Sequence, residues 1–388
     1  MRVPESDSPS ALETRDRVAG KNATIVPLTP VEEGERLMRL CNACRYCEGF
    51  CAVFPAMERR LAFTGRDIHY LANLCHNCGE CYYACPYTPP HAFALNIPQT
   101  FARVRTASYE KYAWPGFFRG LFRQNALTTG AATVLCLCLF VLGTNLSPGA
   151  PSASGSFYSV ISHDAMVGIF GAASVWILAA FVIGFLRFWC DVGEPLSSLL
   201  NPGALMQAFG DVLRLKYLEG GGDGCAYPGE VHSHSRRWFH HFTFYGFLLC
   251  FTSTTVAASY HYFLHWEAPY PFWSAPVVLG VLGGIGLIIG PLGLFWLKGK
   301  SNRELNDRTQ TGLDYGFLTL LFLTGLTGIL LLLIRQSSSM RLVLGIHLGF
   351  VAALFLTMPY GKFVHGIYRF GALLKNALEK RRAAAASS

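Results

Sequence analysis

The chain has 388 residues, of which 52% are apolar or aromatic and only 14% are charged. Soluble domains average about 25% charged residues, and the mean hydropathy of this chain is positive, at +0.32. These values exclude a mainly disordered protein and argue against an ordinary cytosolic enzyme. The formal net charge of +8 does not indicate a nucleic-acid partner, because excess Lys and Arg in a membrane protein first reflect its orientation.

The N-terminal residues and the cysteines indicate where the chain resides. Residues 1–36 are rich in Pro, Ser and charge and lack periodicity, which predicts a flexible tail. They contain no apolar stretch of the kind found in a signal peptide. Eight of the 13 cysteines lie between Cys41 and Cys85. We therefore expect these cysteines to face a reducing compartment, where closely spaced cysteines bind metal or do redox chemistry.

Two copies of one cysteine motif dominate residues 37–124. Each copy has the spacing C-x2-C-x2-C-x3-C, and Pro86 follows the second copy. Three thiolates at two-residue gaps bind one [4Fe–4S] cluster, and the fourth commonly ligates the other cluster. Zinc sites, the alternative, typically use one C-x2-C pair per half. The spacing therefore predicts two clusters, one on Cys41, Cys44, Cys47 and Cys85, and one on Cys75, Cys78, Cys81 and Cys51.

The segment between the two motifs predicts helix. Leu61, Ile68, Leu71 and Leu74 are at helical spacing, and strand signals are few. This pattern favours a helical ferredoxin domain over residues 37–124, as in the iron–sulfur subunits of succinate dehydrogenase, rather than the small β-hairpin type.

Six apolar runs follow the cysteine-rich segment. About 20 residues of helix span the hydrocarbon core of a bilayer, and the usual range is about 17–25. The runs are 126–143, 165–188, 239–262, 276–297, 312–334 and 342–358. We therefore predict an all-α protein with a ferredoxin-like domain, a six-helix transmembrane cytochrome b-like domain over 125–370, and a basic tail over 371–388.

The charged loops predict the orientation of this bundle. Lys and Arg are concentrated after the second, fourth and sixth runs, whereas the loops after the first and third runs contain none. Cytoplasmic loops carry the excess of Lys and Arg in membrane proteins. Both termini and the cysteine motifs are therefore expected in the cytoplasm.

Histidines near the ends of the runs are candidate haem ligands, because ionisable residues in apolar spans are functional candidates. His347 and His365 are 18 residues apart (365 − 347), which is five helical turns, or about 27 Å. Pro359 is expected to kink the helix between them. The spacing predicts two stacked b-type haems, each with a second histidine from another helix, and a single haem is the alternative.

Depth in the membrane selects the partners of these histidines. The third run begins at the inner leaflet and the sixth ends there, so the inner haem is predicted between His365 and His241. His240 is the alternative, because the sequence does not orient the adjacent pair. The predicted partner of His347 at the outer leaflet is His163. His261 and His265 are the other candidates.

Four segments of the chain resemble the tricarballylate-utilisation protein B family, also called citrate-utilisation protein B. They are CNACRYCEGFCAVFP, LCHNCGECYYACPY, RWFHHFTFYGF and HLGFVAALFLTMPYGKFVH, and the resemblance covers about residues 37–370. The membrane part also resembles the γ subunit of respiratory nitrate reductase, in which one helix supplies two histidines ten residues apart. Here the positions ten residues after His240 and His241 are Cys250 and Phe251.

The resemblance implies an electron-transfer role in the inner membrane of a bacterium. Such proteins take electrons from a partner FAD-dependent dehydrogenase, which oxidises tricarballylate to cis-aconitate, and pass them to the quinone pool. No G-x-G-x-x-G motif follows a strand, so the flavin is expected on the partner. Two other classes stay open: the membrane arm of a heterodisulfide-reductase-like enzyme, and a redox-gated transporter or sensor.

Overall fold

The structure is a computed structural model that describes residues 27–149, 155–226 and 231–387. The described chain is almost entirely helical. Two short strands, β1 (Cys225–Ala226) and β2 (His232–Ser233), form an antiparallel hairpin. The predicted all-α class is therefore confirmed. Most of the predicted N-terminal tail, residues 1–26, lies outside the described residues.

Five helices form the cysteine-rich region. They are α1 (Pro30–Cys44), α2 (Val53–Glu58), α3 (Gly65–Leu74), α4 (Glu80–Tyr83) and α5 (Ile97–Tyr112). Leu37, Ile68 and Phe101, from three of these helices, are fully buried in one apolar core. Removing such side chains from water stabilises each by about 1.5–3 kcal/mol. The helical form of the ferredoxin-like region therefore agrees with the prediction.

Helix α1 begins inside the segment predicted to be a flexible tail. The Thr29 side chain accepts a hydrogen bond from the backbone N–H of Glu32, and the Glu32 carboxylate accepts one from the backbone of Thr29 at 2.8 Å. Pro30 occupies the first turn, where its missing N–H has no cost. This capping box fixes the start of the helix at Pro30, so residues 30–36 are helical, which the predicted flexible tail over 1–36 did not anticipate.

Eight further helices follow. They are α6 (Asn125–Leu146), α7 (His163–Asp191), the short α8 (Pro202–Leu213), α9 (Ser235–Leu264), α10 (Ala275–Lys300), α11 (Arg308–Ile334), α12 (Met340–Thr357) and α13 (Val364–Ser387). Six of them, α6, α7 and α9 to α12, are long and apolar enough to cross a membrane. Each contains most or all of one predicted apolar run, so the six-helix bundle is confirmed.

Helix α12 ends before Pro359, and α13 is a separate helix rather than the continuation of one kinked helix. Helix α12 ends at Thr357, a single 3₁₀ turn spans Met358–Tyr360, and α13 begins at Val364. Pro359 lies in this turn, where its missing N–H and fixed φ disfavour continuation of the helix. The expectation that one helix presents His347 and His365 on the same face is therefore corrected, since they lie on separate helices.

The predicted basic tail over 371–388 instead forms most of α13. Leu373, Leu374 and Ala377 are buried, and the helix packs against α3 and α8. Residues 371–378 are all buried, including Lys375, whereas Arg381 and Arg382 are exposed.

Ion pairs fasten α13 to its neighbours. Glu379 binds the guanidinium of Arg60, and Arg59 approaches the same carboxylate at 3.2 Å. Lys375 is buried against Glu194, with 3.1 Å between the ammonium and carboxylate groups. Buried pairs of this kind are costly to break, because the remaining charge has no water around it. Helix α13 is therefore held both to the ferredoxin-like region and to the segment between α7 and α8.

Glycines bring α9 and α10 close together. A Cβ atom at Gly246 would lie 2.9 Å from a backbone carbon of Gly286, and one at Gly290 would lie 2.4 Å from Thr243. Gly283 faces Cys250 in the same way. Small residues allow membrane helices to approach closely, where packing rather than water drives association.

We expect Gly246→Ala to lower the stability of the bundle. Because its methyl group would collide with the backbone of α10, the free energy of unfolding should fall by about 1–3 kcal/mol. The control Gly171→Ala places its methyl group in open space on α7, and should be neutral or stabilising because alanine favours helix. Thermal unfolding in detergent, followed by tryptophan fluorescence, measures both. Equal midpoints for the two variants would contradict the proposed contact.

Candidate functional site

Both cysteine motifs turn the backbone in the same way after their second cysteine. Arg45 follows Cys44 with φ +57° and ends α1, and its N–H donates to the carbonyl of Cys41 at 2.7 Å. Gly79 follows Cys78 with φ +90° and precedes α4. A left-handed residue therefore follows the second cysteine of each motif, although Cys41 and Cys44 lie on a helix and Cys75 and Cys78 lie on a non-helical loop.

The first group of thiols contains one member from the second motif. Burial raises the pKa of the Cys41 thiol to about 12, and the neighbouring Cys47 and Cys85 contribute by charge repulsion. Burial likewise raises the pKa of Cys47 to about 12, with Cys85 and Cys44 next in order. Cys85 therefore lies beside the first motif, as the crosswise ligand assignment requires.

The second group contains the last cysteine of the first motif. Burial raises the pKa of Cys51 to about 12, and repulsion from Cys75 is the next largest cause. Burial also raises the pKa of Cys78 and of Cys81, and Cys51 contributes to both. Cys51 thus lies near the thiols of the second motif, and Cys47 of the first motif also contributes to the shifts of Cys51 and Cys81. Within the described residues, however, no three or more His, Cys, Asp or Glu side chains are arranged to hold a single metal ion.

Two histidines face each other where α9 and α13 begin. The ring centroids of His240 and His365 are 6.2 Å apart, with 68° between the ring planes. The Nδ1 atom of His365 donates to the carbonyl of Lys362 at 2.6 Å, which leaves its Nε2 without a proton. The Nδ1 atom of His240 is buried and has no hydrogen-bond partner in the described structure.

The adjacent histidine points elsewhere. His241 stacks on Tyr245, with ring centroids 5.6 Å apart and the planes 6° from parallel. Successive helical residues are separated by about 100°, so His240 and His241 cannot both face α13. The structure therefore brings His365 to His240, the alternative, rather than to His241, the preferred partner in the sequence analysis.

The other two predicted ligands have different neighbours. Thr327 donates its hydroxyl proton to the carbonyl of Leu323, so its oxygen accepts from Nδ1 of His347 at 3.0 Å. His163 stacks on His261, with ring centroids 4.0 Å apart. The ring contacts in the described residues thus pair His163 with His261 rather than with His347.

A polar cavity separates the histidine pair from the cysteine loops. His240 and His365 line it on the bundle side, and His76 and Asn77 line it beside the second cysteine motif. His76 is buried, and burial holds its pKa well below its ordinary value, so its ring is neutral. The cavity is therefore bordered by both candidate sites.

A buried ion cluster closes one wall of the cavity. Asp314 accepts hydrogen bonds from Lys298 at 2.9 Å and from Lys362 at 2.7 Å. Lys362 also donates to the side-chain oxygen of Gln310 at 2.8 Å. Asp314 thus links α10, α11 and the turn before α13 near His365.

Comparisons with known proteins agree with this architecture. Residues 34–111 match the family model for the Fer4-like domain of citrate utilization protein B, and residues 121–386 match the model for citrate utilization protein B itself. A protein of that name from Escherichia coli is 52% identical over 357 residues, which cover 91% of this chain and 93% of the relative. The chain belongs to the citrate utilization protein B family. No solved structure matches the chain.

The two family models match different regions of the chain. The Fer4-like domain contains both cysteine motifs, which supports iron–sulfur chemistry in this part of the protein. The second match contains all six candidate membrane helices. The resemblance found in the sequence is therefore confirmed at the level of the family and its domain order.

Sequence reasoning missed the charged lining of the cavity. Arg105, Arg236 and Arg369 all face it, and none was a candidate. A signal was present for two of them, because Arg236 is four residues before His240 and Arg369 four after His365. Residues four apart share one helix face.

We expect Asp314→Asn to destabilise the bundle strongly. It would leave Lys298 and Lys362 close together without a counter-charge, and breaking a buried pair costs about 3–5 kcal/mol. Asp223→Asn is the matched control, because the Asp223 side chain is exposed. Thermal unfolding in detergent should show a large fall in midpoint for the first variant alone. A midpoint equal to that of the control would show that the ion cluster is not stabilising.

Proposed function

We propose that this protein transfers electrons in the membrane during citrate or tricarballylate utilisation. A partner FAD-dependent dehydrogenase, resembling tricarballylate dehydrogenase, would supply the electrons, and the quinone pool would accept them. Two [4Fe–4S] clusters and haem b, one or two per chain, supply one-electron redox chemistry when bound. Family membership, the Fer4-like domain and the six apolar helices support this assignment.

The two sets of neighbouring thiols fit the ligand requirement of two clusters. Each thiolate of a [4Fe–4S] site binds a different iron atom, so the four sulfur atoms surround a cluster and do not meet at one point. The nearness of Cys85 to Cys41 and Cys47, and of Cys51 to Cys78 and Cys81, supports this crosswise arrangement. The first set is Cys41, Cys44, Cys47 and Cys85, and the second is Cys75, Cys78, Cys81 and Cys51.

His240 and His365 fit the axial positions of a haem. An imidazole nitrogen lies about 2 Å from a bound transition metal, so two rings on opposite sides of one ion have centroids about 6 Å apart. The observed separation is 6.2 Å. A metal-binding histidine also commonly donates its other ring N–H to a carbonyl group, as His365 does to Lys362.

The observation that carries the proposal is the closeness of the two candidate sites. Arg369, four residues after His365, donates to the carbonyl of Cys75 at 2.8 Å. Arg236, four residues before His240, donates at 2.9 Å to the same cysteine loop. One helical turn and one side chain therefore separate a predicted cluster ligand from the histidine pair. This arrangement suits electron transfer from the soluble region into the bundle.

A second haem would use His347. Its Nδ1 donates to Thr327, which leaves Nε2 free of a proton and able to bind iron. His163 stays the predicted partner of His347, although its ring stacks on His261.

We expect about eight iron atoms and eight acid-labile sulfides per chain, together with haem iron. The reason is that the cysteine motif occurs twice, and each copy completes one four-iron cluster. Full-length protein purified anaerobically in detergent allows iron, sulfide and zinc to be measured on one sample. Zinc at one or two atoms per chain without sulfide would contradict the cluster assignment.

The haem prediction separates the two adjacent histidines. His240→Ala and His365→Ala should each remove the inner haem, because each deletes an axial ligand. His241→Ala is the matched control and should retain haem, since His241 stacks on Tyr245. Pyridine haemochrome quantitation and the reduced-minus-oxidised α-band measure the content. Loss of haem in His241→Ala, with retention in His240→Ala, would restore the pairing preferred from the sequence.

A further inference from the structure

Three arginines form a layer between the histidine pair and the second cysteine motif. We call Arg105, Arg236 and Arg369 the arginine layer. Arg105 is only 5% exposed, and it donates to the carbonyls of Ala72 and Cys75. All three line the same cavity as His240 and His365, and Tyr109 lines it as well.

Two members of the arginine layer, Arg105 and Arg369, bond to neutral acceptors. No carboxylate of the described residues lies within the 4.0 Å ion-pair distance of Arg105 or Arg369. The two aspartates that line the cavity have other partners, because Asp314 binds two lysines and Asp307 pairs with Arg103 at 3.7 Å. Charges removed from water require a counter-charge or strong hydrogen bonds. Backbone carbonyls and the side-chain oxygen of Asn77 supply the bonds of Arg105 and Arg369, so a negatively charged ligand in the cavity would be favourable.

A buried hydroxyl group points to the same conclusion independently. Tyr109 is fully buried, and within the described structure its hydroxyl has no hydrogen-bond partner. Its ring stacks on Tyr368, with centroids 5.7 Å apart, which fixes its position. Leaving a buried polar group without a partner destabilises the protein. A ligand that brings an acceptor oxygen would satisfy Tyr109 and the arginine layer together.

The layer lies at a defined place relative to the histidines. Arg236 precedes His240 by four residues and Arg369 follows His365 by four. Each guanidinium therefore projects from the same helix face as its histidine, about one turn or 5.4 Å along the axis. Both arginines bond to the second cysteine loop, so both lie on the side facing the ferredoxin-like region.

We propose that the arginine layer and Tyr109 bind the carboxylate groups of the haem held by His240 and His365. This inference rests on the proposed function. A guanidinium group donates two parallel hydrogen bonds to a carboxylate, and such charge-assisted bonds are about twice as strong as neutral ones. The carboxylate edge of the porphyrin then faces the second cysteine motif, and the opposite edge faces the interior of the bundle.

The test compares haem with its dimethyl ester, which has the same iron and ring but no carboxylate charge. Full-length apoprotein made without haem is titrated in detergent with each compound, and binding is followed by the absorption spectrum. We expect the wild type to bind haem at least about tenfold more tightly than the ester, because charged hydrogen bonds contribute that much. This ratio should approach one in the Arg105→Gln/Arg369→Gln double variant, and Tyr109→Phe should be intermediate.

Control variants separate binding from folding. Arg369→Lys keeps the charge and should retain much of the preference, and Arg119→Gln changes an exposed arginine and should retain all of it. Iron and sulfide content, together with size-exclusion elution, establishes that each variant is folded. If the double variant fails both measurements, Tyr109→Phe and Arg369→Lys replace it. The ratio of haem affinity to ester affinity in these two variants then tests the inference.

The outcomes distinguish the inference from the proposed function. A wild type that binds neither compound rejects the haem assignment and with it this inference. A wild type that binds haem and the ester equally, or a folded double variant that keeps the full preference, rejects the arginine assignment alone. Free citrate is added in a parallel titration. If citrate competes with haem in the wild type but not in the double variant, the cavity binds a free carboxylate, which also overturns the proposal.

Discussion

Buried positive charge at the boundary between the ferredoxin-like region and the bundle is the constraint on which this structure depends. An ion taken out of water loses several kcal/mol of solvation, so each such group requires partners at fixed positions. Arg369 finds them in the backbone of the cysteine loop, and Lys298 and Lys362 find theirs in Asp314. Because these partners belong to different regions, satisfying the charges also sets the position of the cysteine motifs relative to the bundle.

Helix α13 carries charged residues that bind the ferredoxin-like region at two points along its length. Its first turn contains His365, Arg369 bonds to the second cysteine loop, and Glu379, further along the helix, binds Arg60. This path requires the helix to leave the direction of α12, which the turn at Pro359 allows. The break therefore brings a candidate haem ligand and a candidate cluster ligand to the same boundary.

The features that the sequence predicts well are those set by local spacing. The repeated cysteine gaps identify eight candidate ligands, and the apolar runs identify six helices, because both depend on neighbours within a few turns. The choice between His240 and His241 depends on the rotation of α9 against α13, which no local pattern contains. The break near Pro359 was missed for a related reason, since a proline predicts a kink or an end equally well.

Arg236 and Arg369 were missed because charges near a membrane span were counted only as signals of orientation. In the structure these two arginines bond to the cysteine loop. The positive-inside argument should therefore rest on charges that remain exposed. Lys300, Arg303 and Arg308, in the loop after the fourth predicted run, are exposed, and they lie on the same side as the partly buried ones. The orientation predicted from the loops thus does not depend on the residues that line the cavity, and a charge at the end of a span can serve a site without weakening that inference.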